Sequence, residues 1–408
     1  MFYLCPLQKF HAIRTRLFPA RPLALTEIQP IIIVGSEPQV LKQLLVGKEL
    51  WLNSAFSSNK KTVFIIGAGG SKEAGLPIGS ELKTEIAKAL DIRFKDLARM
   101  VSGDNCIFEA FFLAKVANDQ DPNAPLRSLQ QAGWHIRDAM PQAISIDNFI
   151  DTHSENKHIE LCGKLAIVRT ILEAEAKSTL IFDGRQGNSQ VRFARLTETW
   201  FNRFFQRLSE NCKPTDLKNR LKSVALIIFN YDRCIEHYLY HAFQNYYSMS
   251  PSESAQLLRD LEVYHPYGVV GSLPWLYTDN AIEFGGEPSG NQLLSLAGQI
   301  KTFSEGTDEL ASEVNSIRSR MKTAQRLIFL GFAFHKLNLD ILLPSVGPSP
   351  PTGRCVLATA HGISKSDVAV IAGDLANRGV LIAKDIQIRN DLTCSQLFGE
   401  YSRTLSFT

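Results

Sequence analysis

The chain has 408 residues, 45% of them hydrophobic and 21% charged, and a formal net charge of +3. So slight a charge, with no long run of lysine or arginine, argues against a nucleic-acid-binding surface, and direct sequence-specific binding of nucleic acid is not expected. The apolar runs fall far short of the ~18 residues of a membrane span. Seven scattered cysteines (Cys5, Cys106, Cys162, Cys212, Cys234, Cys355, Cys394) include no C-x-x-C pair, which speaks against a zinc ribbon or a disulfide framework and suits a reducing, cytoplasmic setting.

Residues 1–60 read as an N-terminal extension, partly disordered. Lys9, Arg14, Arg16 and Arg21 face a single acid, Glu27, among helix-breaking prolines; a targeting segment, a loose tail and an over-extended start are all compatible with that. Ile31 to Val34 could form a short strand and Val40 to Leu52 a helix, with Ser54 to Lys61 as a polar linker. Residues 61–405 read as one domain. It opens on TVFIIGAGGSKEAGLPIGSEL, Thr62 to Leu82: a buried strand (Val63 to Ile66), a glycine-rich turn (Gly67, Ala68, Gly69, Gly70) and a helix opened by Ser71. Glycines let a backbone approach a pyrophosphate, and free N–H groups at a helix start favour negative charge. Lys72 stands where the dehydrogenase fingerprint wants its third glycine, and no Gly-Lys-Ser/Thr closes a Walker loop.

From Glu81 to about Leu221 the pattern is helical. Leu161, Leu165, Val168 and Leu172 repeat at helical spacing, as do Leu196, Trp200, Phe204 and Leu208, around a polar loop at Asp183 to Gln190. This stretch, about 83–221, is expected to be a helical module inserted between two halves of a sheet. Short apolar runs then return: Val224 to Phe229 ending at Asn230, Arg326 to Leu330 ending at Gly331, Cys355 to Ala358 ending at Thr359, and Val380 to Ala383 ending at Lys384. A helix capped by Ser364 and stopped at Gly379 separates the last two. Apolar strands alternating with helices predict an α/β fold, a doubly wound Rossmann-like parallel sheet, with ligands beyond the carboxyl ends of its strands.

Four strand-end motifs carry a resemblance: GAGGSKEAGLP (Gly67 to Pro77), FNYDRCIEHYL (Phe229 to Leu239), YHPYGVVGSLPW (Tyr264 to Trp275) and FLGFAFHKLNLDIL (Phe329 to Leu342). In this order they resemble the sirtuin-like proteins, and more closely their zinc-free bacterial branch that hydrolyses NAD than the protein deacylases. Asn-Tyr-Asp followed by Glu236, Gly-Phe-x-Phe-x-x-x-Asn, and SIDNFID (Ser145 to Asp151) resemble that branch too. The resemblance spans about Thr62 to Asp385. It implies an NAD glycohydrolase that yields nicotinamide and ADP-ribose without metal, an anti-phage defence effector, and a homo-oligomer kept quiet until a partner encoded nearby or a change of assembly releases it. The deacylases' Asp-Phe-Arg triplet and cysteine pairs are absent, which weighs against NAD-dependent deacylation. An NAD-dependent protein deacylase or ADP-ribosyl transferase, and a sensor that binds NAD or ADP-ribose without consuming it, stand as alternatives.

The resemblance assigns Gly67, Ala68, Gly69, Ser71, Gly75 and Pro77 to the diphosphate loop, and Gly331, Phe332 and Thr359 to the adenosine end. Where the family has its catalytic histidine before a glycine, this chain has Tyr267 before Gly268; His265, two positions earlier, would point to the same side of a strand end. His265 is taken as catalytic, with Tyr267 as its rival. Nicotinamide leaves from a cationic ring and needs no acid, so the chemistry asks for support of an oxocarbenium-like sugar and an oriented water. Asn230 has the amide to orient that water, Asp232 could buttress the geometry, and an imidazole can take the proton. An isolated Asn-x-Asp is more often a turn; its register with the glycine loop favours the functional reading. His237, His241, His335 and His361 read as ordinary surface or core histidines, Phe201, Phe204 and Phe205 as core, and His153 and His158 lack the spacing of a metal pair.

Overall fold

Strand β1 (Thr62–Ile66) is buried at all five positions, as an apolar run of this kind requires when both faces of a sheet are covered. Its side chains alternate: Val63 and Ile65 enter one core, Phe64 and Ile66 the other. The computed structural model describes residues 61–95, 99–114, 124–181, 191–302, 305, 312–343, 353–381 and 385–408. The expectations for residues 1–60, for Asp183 to Gln190 and for Lys384 lie outside these.

After β1 the chain forms a helical turn, α1 (Ala68–Ser71), then α2 (Gly79–Ala89), a two-stranded ladder of β2 (Arg93–Lys95) and β3 (Arg99–Ser102), and α3 (Asn105–Ala114), α4 (Ala124–Ala139), α5 (Ile146–Thr152), α6 (Lys157–Lys177), α7 (Trp200–Ser209) and α8 (Pro214–Leu221). It then re-enters the main sheet as β4 (Val224–Ile228). Next come α9 (Cys234–Tyr247), α10 (Pro251–Asp260), β5 (Glu262–Tyr264), α11 (Gly290–Ala297), α12 (Ser312–Thr323), β6 (Arg326–Leu330), α13 (Lys336–Leu342), β7 (Cys355–Thr359), α14 (Lys365–Asn377), β8 (Ile386–Arg389) and α15 (Cys394–Glu400).

The main sheet has six strands, all parallel, in the order β5-β4-β1-β6-β7-β8. Counted along this sheet alone the order is 3-2-1-4-5-6, that of a dinucleotide-binding Rossmann sheet, with the strand order reversing between β1 and β6. The fold is therefore α/β, doubly wound and Rossmann-like. β1, β4, β6 and β7 stand where their apolar runs predict.

Four expectations need correction. The inserted stretch is not one module: residues from Leu82 to Leu172 pack on one face of the sheet, whereas Leu180 to Leu221 pack on the other with α9 and α15. It also contains the β2–β3 ladder, whose alternating exposure leaves no apolar run to read. The last described strand is Ile386–Arg389; of the run Val380 to Ala383, Val380 is fully buried in the turn that follows α14, and Ile382 and Ala383 lie outside the described residues. And the helical turn after β1 starts at Ala68 with Gly67 as its N-cap, so Ser71 closes it instead of opening it.

Candidate active site

The loops after β1 and β6 meet backbone to backbone at the reversal point. Gly67 N–H donates to Leu330 O and Gly69 N–H to Gly331 O, each at 3.0 Å. A Cβ on Gly67 would stand 2.6 Å from Gly331 O, and one on Gly69 2.8 Å from Gly331 Cα. Gly331 itself has φ +56, a left-handed conformation, and a Cβ there would meet Gly69 C at 2.2 Å. The glycines thus let two strand-end loops touch. Thr359 Oγ1 accepts from Gly331 N–H at 2.8 Å and pins the second loop to β7, while Phe332, 2% exposed, turns inward against Phe229. Gly75, at φ +94, ends the short 3-10 turn that leads to Pro77.

The loop after β4 joins this arrangement through side chains. Asn230 Nδ2 donates to Gly67 O at 3.0 Å and to Ser71 Oγ at 2.9 Å. Asp232 accepts from Cys234 N–H at 3.1 Å, at the start of α9, and from the Ser71 hydroxyl. Burial holds the Asp232 carboxyl above its ordinary pKa, against the pull of those hydrogen bonds, and the charge of Glu175 adds to the rise. Directly after Asp232 comes Arg233, 2% exposed, whose guanidinium meets Glu175 and the Ile282 and Glu283 carbonyls. Fully partnered in this way, Arg233 fixes the backbone that carries Asn230 and Asp232, and ties it to the end of α6.

His265 immediately follows β5. Its Nε2 lies 2.7 Å from Glu236 Oε1 and its Nδ1 lies 3.3 Å from Asn230 O. Both partners are acceptors, so the pair of contacts is satisfied by an imidazolium. Burial alone would lower its pKa; the charge and hydrogen bond of Glu236, then the Asn230 carbonyl and Asp232, outweigh it and raise the value. The other carboxylate oxygen of Glu236 is buried with no hydrogen-bond partner among the described residues.

Tyr267 does not share the side of His265. β5 ends at Tyr264 and the chain turns, Gly268 N–H donating to His265 O at 2.9 Å, so strand alternation no longer applies. The Tyr267 hydroxyl instead donates to Asn338 Oδ1 of α13 at 2.6 Å, and burial raises its pKa. Nearby, the Tyr231 hydroxyl bonds Asp147 of α5, whose own pKa burial raises.

The structure thus brings together Gly67, Ser71, Asn230, Asp232 and His265, and Gly69 with Gly331. Phe332, Thr359 and Tyr267 are committed to holding the loops. Glu236, Arg233, Glu175, Asn338 and Asp147 are the participants that sequence reasoning left out of the site. Four of them lie inside the quoted motifs, which was their signal; Glu175, on a helix end, had none. Among the described residues no group of three His, Cys, Asp or Glu stands close enough to hold a metal ion, and no helix is long and apolar enough to cross a membrane. No protein-family model and no curated protein matches the chain.

Proposed function

We propose that this crevice binds NAD and hydrolyses its nicotinamide–ribose bond. The observation that carries the reading is the hydrogen-bonded union of Asn230 with Gly67 and Ser71, at the carboxyl end of adjacent strands in a sheet of dinucleotide-binding order. The resemblance of the four motifs supplies the reaction. Water adds to the ribose carbon as the nicotinamide nitrogen leaves with the bonding pair, and one proton is released. Asn230 Oδ1, which makes no hydrogen bond within the described residues, is free to orient the water. Asp232 and the Glu236–His265 pair set the charge around the sugar. By the same resemblance, the setting is NAD depletion during phage infection, released by a partner or a change of assembly.

The test is nicotinamide release from NAD by the full chain, by Asn230→Ala and by His265→Ala, alone and with the products of neighbouring genes. Turnover in the wild type and its loss in both variants is expected; equal turnover in all three would sink the assignment. One observation favours a second reading. With both His265 nitrogens facing acceptors, no imidazole lone pair is presented to a substrate, which suits a module that binds NAD or ADP-ribose without consuming it. Calorimetric NAD binding with no nicotinamide release under any trigger would select that reading.

A further inference from the structure

A cavity of about 380 Å³ opens between α7 and α9 and shares no residue with the crevice. Its volume lies in the range of small-molecule sites, roughly 300–1,000 Å³. The walls carry the rings of Phe205, Tyr238 and Tyr246 and the amides of Asn202, Gln206 and Asn245. Phe205 meets Tyr246 at 5.4 Å and 80°, and Tyr238 at 6.3 Å and 76°, so these rings stand edge to face and are not stacked on one another. Tyr246 is 60% exposed. The side-chain amides of Gln206 and Asn245 make no hydrogen bond among the described residues, and an amide of this kind reads the donor–acceptor edge of a purine in two bonds. The cation in the wall, Arg207, is paired with Glu210 at 3.0 Å, which leaves no unpaired charge to attract a phosphate.

Both helices that line this cavity start at the crevice. Trp200, the first residue of α7, donates from its ring Nε1 to Gly70 O at 2.7 Å and from its backbone to Glu73 at 2.6 Å. Cys234, the first residue of α9, is held by Asp232. The Tyr238 hydroxyl bridges the two helices by donating to Asn202 Oδ1 at 3.2 Å. Tyr238 and Phe205 lie only ~6–8 Å along their helices from those first residues, at 1.5 Å per residue.

We propose that this cavity is a second ligand site, that it takes an uncharged purine nucleoside stacked on Tyr246, and that occupancy stiffens the glycine turn through Trp200. Neither part depends on NAD being the crevice ligand. The experiment titrates the full chain with adenosine by calorimetry, beside Tyr246→Ala and a cavity-filling Asn245→Trp, both at exposed positions, with their melting temperatures checked against the wild type. Saturable binding is expected, weakened about tenfold or more in Tyr246→Ala, as loss of a stacking ring predicts, and abolished in Asn245→Trp. Adenosine should also slow hydrogen exchange in residues 67–76. Absence of saturable binding, or binding retained in both variants, overturns the site. Unchanged exchange in that segment with adenosine bound overturns the coupling. Nicotinamide release by the same samples reports separately on the crevice.

Discussion

At the scale of single residues the site is a set of exchanged commitments, and removing one member exposes another. In Asn230→Ala the Gly67 carbonyl keeps the Gly70 N–H and the Ser71 hydroxyl keeps Asp232, but two hydrogen bonds are lost, each worth about 0.5–1.5 kcal/mol net, so the variant should melt earlier as well as lose turnover. Glu236→Gln removes the charge that outweighs burial at His265. Its imidazole pKa should fall below the wild-type value, which proton NMR of the ring can follow, and an unchanged value would refute the ion pair. The motifs displayed Asn230, Asp232, Ser71 and His265 because their residue types are informative in themselves. The pairing of His265 with Glu236 was not legible: α10 and part of α9 separate them along the chain, and only the closure of β5 onto β4 brings them together.

Among elements, the contact between the loops after β1 and β6 is the tightest constraint at the site. Gly331→Ala combines a left-handed backbone with a Cβ 2.2 Å from Gly69 C, and strain plus overpacking should cost about 2–4 kcal/mol in chemical denaturation. Gly373, inside α14 with nothing within 4 Å of its would-be Cβ, gives the opposite expectation. Gly373→Ala should stabilise the chain by up to about 1 kcal/mol, because alanine restricts the unfolded state and favours helix. The core strands were readable because burial on both faces demands unbroken apolar runs. β8 was misplaced because the apolar residues at Val380 and Leu381 belong to the connection after α14. The turn at Ala68–Ser71 was hidden because glycine is a poor helix former, and here tertiary contact with Gly331 overrides propensity.

Over the whole molecule, buried histidines set opposing pH dependences. Burial holds His237 well below the ordinary value and His241 down at about 4. The unfolded chain therefore takes up protons below pH 6.5 that the folded chain refuses, and the stability these groups contribute falls as pH drops from 6.5 towards 4. His265 acts in the other direction: its contribution is complete below 6.5 and is lost as pH rises through its raised folded value. Chemical denaturation should show lower stability at pH 5 than at pH 7.5, and His241→Gln should flatten that acid limb. A slope that His241→Gln leaves untouched would assign the acid loss to other groups.

The position of β1 at the middle of the sheet has a bearing on how the protein is made. Thr62 contacts Arg326, 264 positions later, yet β6 is one of the two neighbours that β1 needs. At ~5–20 residues per second, a ribosome leaves that apolar strand without its second partner for on the order of tens of seconds. The nascent chain should accordingly be a strong client for holdase chaperones, and truncation before Arg326 should yield an insoluble product.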